Sequence, residues 1–197
     1  MVKYTLKEKI LKFLIENKEK PHSIREISLK LKADYKNTSQ ALNNLNLKTY
    51  SKKKQGNSYL IEFNPENNIE TLSIEEKRTK EFLSKNPKMK LIVKDINEIN
   101  YPFMIVLIFG SFANEKNTQT SDMDLCIISD NKTKTNKLIE MLNLFNLKIE
   151  IQEFTTGEFV SMIEKKQNNL GHEITKNNVI LYGIENYYNL ISNNSQN

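Results

Sequence analysis

The chain has 197 residues, 27% charged and 38% hydrophobic, with a net charge of +5. That balance belongs to an ordinary folded protein and excludes a disordered chain, while no apolar run approaches the roughly 20 residues needed to cross a bilayer. A single cysteine, Cys126, excludes an internal disulfide framework, and MVKYTLKEKI has no apolar signal-peptide core, so the expectation is a cytoplasmic protein.

The charge is unevenly spread. Residues 1–65 carry 14 Lys/Arg against 6 Asp/Glu, and residues 66–197 carry 15 against 18. The asymmetry predicts two modules with different partners. In the front part, residues 5–17 place Leu6, Ile10, Phe13 and Leu14 on one helical face, with Thr5 and Glu8 spaced as a capping box. Pro21 breaks the pattern, Ser23 and Glu26 repeat the capping signature, and His22 beside them reads as a solvated residue of the capping region. A third helix begins at Asp34, with Thr38, Ala41, Leu42 and Leu45 facing the core. Then TYSKKKQGNSYLIEF reads as two short strands joined at Gln55-Gly56-Asn57.

Three short helices followed by a basic hairpin resemble a winged helix-turn-helix domain. The resemblance rests on element order over about residues 3–64. It implies a double-stranded DNA partner, with the third helix as recognition helix. Tyr35, Lys36, Asn37, Ser39, Gln40 and Asn43 lie away from its apolar stripe, and amide side chains of this kind suit base edges. Lys52, Lys53 and Lys54 in the wing would meet phosphates.

Residues 64–73, NPENNIETLS, read as a polar linker. Ser73 and Glu76 are spaced as a capping box for a charged helix that Pro87 interrupts, and a second helical stretch follows from about Lys88 to Asn100. The modules are therefore expected at 1–65 and 74–192, with a frayed tail after Ser192.

The apolar run FMIVLIF, residues 103–109, has the length of a strand covered on both faces. Gly110-Ser111 follow, where a missing Cβ lets backbone approach a ligand and a hydroxyl can donate to phosphate. Further on, SDMDL leads into the strand-like CIIS, where Cys126 reads as buried filler. Side chains two apart on a strand share a face, so Asp122 and Asp124 converge, and Met123 and Leu125 point into the core. Paired carboxylates of this kind suit Mg²⁺ or Mn²⁺. After a polar loop and an amphipathic helix, LKIEIQEFT alternates Leu147, Ile149 and Ile151 with Lys148, Glu150 and Gln152. Glu150 is the candidate third acid on this strand, with Glu153 the rival if a bulge shifts the register.

Gly-Ser, ten residues and then Asp-x-Asp, set between two strands, resemble the DNA polymerase β nucleotidyltransferase superfamily, and most closely its minimal, antitoxin-like members. Together with the front module's resemblance, this likeness implies an α+β fold, a winged helix-turn-helix followed by a polymerase-β-like short mixed sheet flanked by helices. It implies that Gly110 and Ser111 hold nucleotide phosphates and that Asp122, Asp124 and Glu150 are catalytic metal ligands. The implied reaction moves a nucleoside monophosphate, AMP from ATP or another NTP, to a hydroxyl of a protein or other acceptor. A cognate toxin would be one such protein. The alternative is a nucleotide-sensing transcriptional regulator whose transferase domain is silent. The family's long helix, short strand and Tyr-Gly turn before a last helix match the region through Val179–Gly183. His172, near the end of that helix, reads as a surface or packing residue; Tyr182, Tyr187 and Tyr188 have rings that could stack on a base, but their spacing reads as packing of the C-terminal helix. Relatives often carry a basic residue and a glycine just after this Gly-Ser stretch, where this chain has Asn114 and Glu115, with Lys116 next. A homodimer is compatible with this reading, and a membrane partner is not.

Overall fold

The computed structural model describes residues 2–114, 121–145, 147–165 and 169–192. Glu115, Lys116 and the tail beyond Ser192 lie outside them. The chain divides into two compact units, Met1–Arg78 and Thr79–Asn197. Among the described residues no helix is long and apolar enough to cross a membrane.

The front unit contains helices α1 (Leu6–Glu16), α2 (Ile24–Lys30) and α3 (Tyr35–Asn43). Its three-stranded antiparallel sheet has β1 (His22–Ser23), β3 (Ser58–Phe63) and β2 (Tyr50–Gln55) in that spatial order. The Thr5–Glu8 capping box is formed in full at α1. The buried face of α1 is Ile10, Leu11, Leu14 and Ile15, a broader stripe than expected and turned away from Leu6 and Phe13, which are half-buried. Thr38, Leu42 and Leu45 are buried as read, and Ala41 is half-buried. The hairpin turns at Gly56, whose φ of 58° is the left-handed conformation glycine accepts readily.

Two expectations for this unit are corrected. His22 is buried: it lies in β1, its Nε2 is 2.9 Å from the Asn17 carbonyl, its Nδ1 is 3.0 Å from the Glu26 carboxylate, and its ring meets Phe13 edge-on. Glu26 therefore turns to His22, and the α2 cap is only the half in which the Ser23 hydroxyl accepts the Glu26 N–H. The stretch 64–73 is not all linker, because helix α4 spans Ile69–Lys85. The Asn68 side chain accepts the N–H groups of Glu70 and Thr71, an N-terminal cap ahead of the expected one at Ser73. Glu70 also pairs with Lys7 and accepts the Asn46 N–H, so the first turn is tied to the front unit.

In the back unit, α5 (Met89–Ile99) precedes β4 (Ile105–Phe109), the one-turn α6 (Gly110–Ala113) and β5 (Met123–Ile128). Helix α7 (Lys132–Asn143) leads to β6 (Ile149–Phe154), and α8 (Thr156–Glu164), α9 (Leu170–Lys176), β7 (Asn178–Tyr182) and α10 (Ile184–Ser192) complete it. The sheet order is β6-β5-β4-β7; β4 is antiparallel to both neighbours and β5 is parallel to β6. All five residues of β4 are buried, as an unbroken apolar run requires. Phe103, read as part of that strand, is 71% exposed in the preceding turn.

One face of the sheet presents Val106, Ile108, Met123, Leu125 and Ile127 to a core that includes Ile92 and Ile96 of α5 and Leu138 and Leu142 of α7. Burial of this kind is worth roughly 1.5–3 kcal/mol for each large aliphatic side chain. Cys126 is buried filler, its thiol pushed up by burial. Tyr187 and Tyr188 are buried and meet edge-on, and the Tyr187 hydroxyl accepts from the Asn178 amide at 2.8 Å. The expected single long helix is two, since Asn169 caps α9 by accepting the His172 N–H. His172 itself lies 2.6 Å from the Lys165 carbonyl.

Candidate active site

Gly110 closes β4 with a φ of 65°. A Cβ built there would lie 2.1 Å from Asp124 Oδ2, so the carboxylate occupies the space a side chain would need. Asp124 pairs with Phe109 on one side and with Glu150 on the other. Three neighbouring strands thus set the glycine, one aspartate and the glutamate in a row. Ser111, the first residue after the glycine, is half-buried in α6.

Asp122 lies one residue before β5 rather than within it, with its side chain 57% exposed and Oδ1 4.0 Å from Lys148 Nζ. Met123 and Leu125, its strand neighbours, are buried, which holds the aspartates on the face away from that core. Glu150 is exposed and accepts from the Gln152 amide at 3.0 Å. The β5–β6 pairing runs without a shift from Met123–Ile149 to Ile128–Phe154, so no bulge moves Glu153 into Glu150's place. Glu153 instead holds Lys132 with both carboxylate oxygens at 2.8 Å.

The Asp124 carboxyl is held above its ordinary range by burial first, then by the charges of Glu150 and Asp122, with a smaller contribution from Glu173. Glu173, on α9, was not singled out from sequence; its nearness depends on where that helix packs, which no local pattern announces. A carboxylate with a raised folded-state pKa costs stability when ionised. The cost is full above the raised pKa and disappears as pH falls to the value of the unfolded chain. Asp124→Asn is therefore expected to raise the Tm of the metal-free protein at neutral pH, by about 2–4 °C for each kcal/mol relieved in a chain of this size. The gain should shrink as pH falls through the raised pKa, and thermal unfolding across a pH series checks it.

The donor set consists of hard carboxylate oxygens, which fit Mg²⁺ or Mn²⁺ rather than a softer ion. Among the described residues no three His, Cys, Asp or Glu side chains already close on one point. The mutual repulsion at Asp124 is what a bound divalent cation would relieve.

The model of the family described as Polymerase beta, Nucleotidyltransferase matches residues 77–187, more than half of the chain. The chain belongs to that family. The match begins within α4, ends within α10 and includes all four strands of the mixed sheet, so the back unit is a polymerase β nucleotidyltransferase domain. No curated protein and no solved structure matches the chain.

In the front unit, Tyr35, Lys36, Asn37, Gln40 and Asn43 of α3 are exposed and Ser39 is half-buried. Lys52, Lys53 and Lys54 are exposed on β2, and Lys52 Nζ lies 4.5 Å from the centre of the Tyr59 ring on β3. Strand alternation sends Lys53 to the side of the hairpin opposite Lys52 and Lys54.

Proposed function

We propose that the back unit transfers a nucleoside monophosphate, most simply AMP from ATP, to the hydroxyl of an acceptor, and that the front unit is a winged helix-turn-helix that binds double-stranded DNA. What supports the first part most is the convergence of Gly110, Asp124 and Glu150 on adjacent strand positions within a nucleotidyltransferase domain. The Ser111 hydroxyl and the backbone freed by Gly110 would hold the triphosphate. Asp122, Asp124 and Glu150 would hold Mg²⁺ or Mn²⁺, which supplies charge neutralisation at the transferred phosphate and acidifies the acceptor hydroxyl. Glu150, exposed at the outer strand, would take the proton as the acceptor oxygen bonds to the α-phosphorus. The bond to the bridging oxygen breaks and pyrophosphate leaves. Of the acceptors, a protein partner such as a cognate toxin fits the antitoxin-like reading.

A second reading has Asn114 and Glu115 in its favour, which stand where relatives often carry a cation and a glycine. In it the domain senses nucleotide without turnover and the protein is a transcriptional regulator. Incubation of the full chain with labelled NTPs, Mg²⁺ and extract from its source cells separates the two. Metal-dependent labelling of an acceptor supports the transferase, and nucleotide binding with no label transfer from any NTP leaves the sensor.

For the front unit, neutralising Lys52, Lys53 and Lys54 together should weaken DNA binding and make its logarithmic salt dependence shallower by roughly 2–3. Titrations at several salt concentrations measure both. An unchanged slope would refute the wing assignment while leaving the α3 contacts open to test at Asn37 and Gln40.

A further inference from the structure

The carboxylates of the site have a cation among them. Met123 N donates to the Lys148 carbonyl at 2.9 Å, immediately before the parallel pairing of Met123 with Ile149. This sets Lys148 beside Asp122, two residues ahead of the Asp124–Glu150 pair on each strand. Alternation along the strand gives Lys148 the same face as Glu150. Two adjacent strand ends therefore present Asp122 and Asp124 opposite Lys148 and Glu150, three negative charges and one positive. The ammonium stands 4.0 Å from Asp122 Oδ1, with side chains 79% and 57% exposed. At that exposure the pair is weak and screened, so it can be exchanged for a stronger partner.

We propose that Lys148 is a positioning residue of the transfer site, a displaceable counter-ion that holds Asp122 until a divalent cation takes its place. This rests on the reading of Asp122 and Asp124 as metal ligands. A cation arriving at Asp122 meets the Lys148 charge as competition, so the lysine raises the metal concentration at which the site fills.

The test is Mn²⁺ binding to the full chain without nucleotide, followed by electron paramagnetic resonance, for wild type, Lys148→Gln, Lys148→Arg and Asp122→Asn/Asp124→Asn. Lys148→Gln should bind Mn²⁺ roughly two- to fivefold more tightly than wild type at low salt. Lys148→Arg should behave as wild type, and the gain should fade in 0.5 M KCl on the order of the screening expected at that ionic strength. A merely structural lysine would give no such gain and no rescue by arginine. Equal or weaker Mn²⁺ binding in Lys148→Gln, with the double aspartate variant defective, overturns the role of Lys148 alone. Binding that survives in the double variant, or no binding to wild type, overturns the metal-ligand reading and this proposal with it.

Discussion

Replacing Asp122 and Asp124 by asparagine should lower metal-dependent nucleotidyl transfer by roughly 10³-fold or more, given what a single electrostatic contact to a transition state commonly contributes. The variant keeps size and shape at both positions, and it removes the Asp124 charge that Glu150 and Asp122 repel. It should therefore fold at least as stably as wild type when metal-free, so lost turnover cannot be attributed to lost structure. The thermal shift that Mg²⁺ or Mn²⁺ gives wild type should disappear in the same variant, because only a cation that binds the folded state raises its apparent stability. The rate with metal and the metal-free melting temperature thus move in opposite directions. A variant that still transfers label at the wild-type rate would remove these aspartates from the chemistry.

Much of this site could be read from residue order because its geometry is local. A five-residue apolar strand, a glycine at its end and aspartates two apart need only strand alternation to be placed on one face. Glu150 needed one step more, the alternation of LKIEIQ, and the parallel register then sets it opposite Asp124. What sequence did not disclose depends on contacts between distant segments. Glu173 bears on Asp124 only because α9 ends next to β7, whose partner β4 ends at Phe109, the residue paired with Asp124. The burial of His22 follows from a two-residue strand pairing with Leu60 and Ile61, too short to leave a periodic signal. Helix α4 starts early because Asn68 caps it and Glu70 finds Lys7 and Asn46 far away in the chain, whereas the Ser73–Glu76 spacing occurs inside the helix. The mixed α+β class of the back unit was readable because hydrophobic periods are strong over whole elements; ends and charge partners were decided by tertiary contacts.

Gly110→Ala carries the other large expected effect, and it tests whether this glycine serves the turn or the carboxylate. Two costs are distinguishable. Alanine at a φ of 65° takes the left-handed conformation, which costs about 1–2 kcal/mol. Its Cβ would also fall 2.1 Å from Asp124 Oδ2 and 3.0 Å from Cγ, so the carboxylate must swing away. A displacement of about 1 Å at a reacting group can cost roughly 10²-fold in rate, so turnover should drop by that order while stability falls by a smaller amount. Combining the change with Asp124→Ala separates the two, because the remaining Asp124 Cβ lies at 3.5 Å, an ordinary contact. The stability cost of Gly110→Ala should then fall to that of the backbone conformation alone. Denaturant unfolding of the four proteins in this cycle measures the coupling. Equal costs in both backgrounds would mean that the glycine answers only to the turn; a smaller cost without the carboxylate would mean that it keeps Asp124 in place beside Glu150.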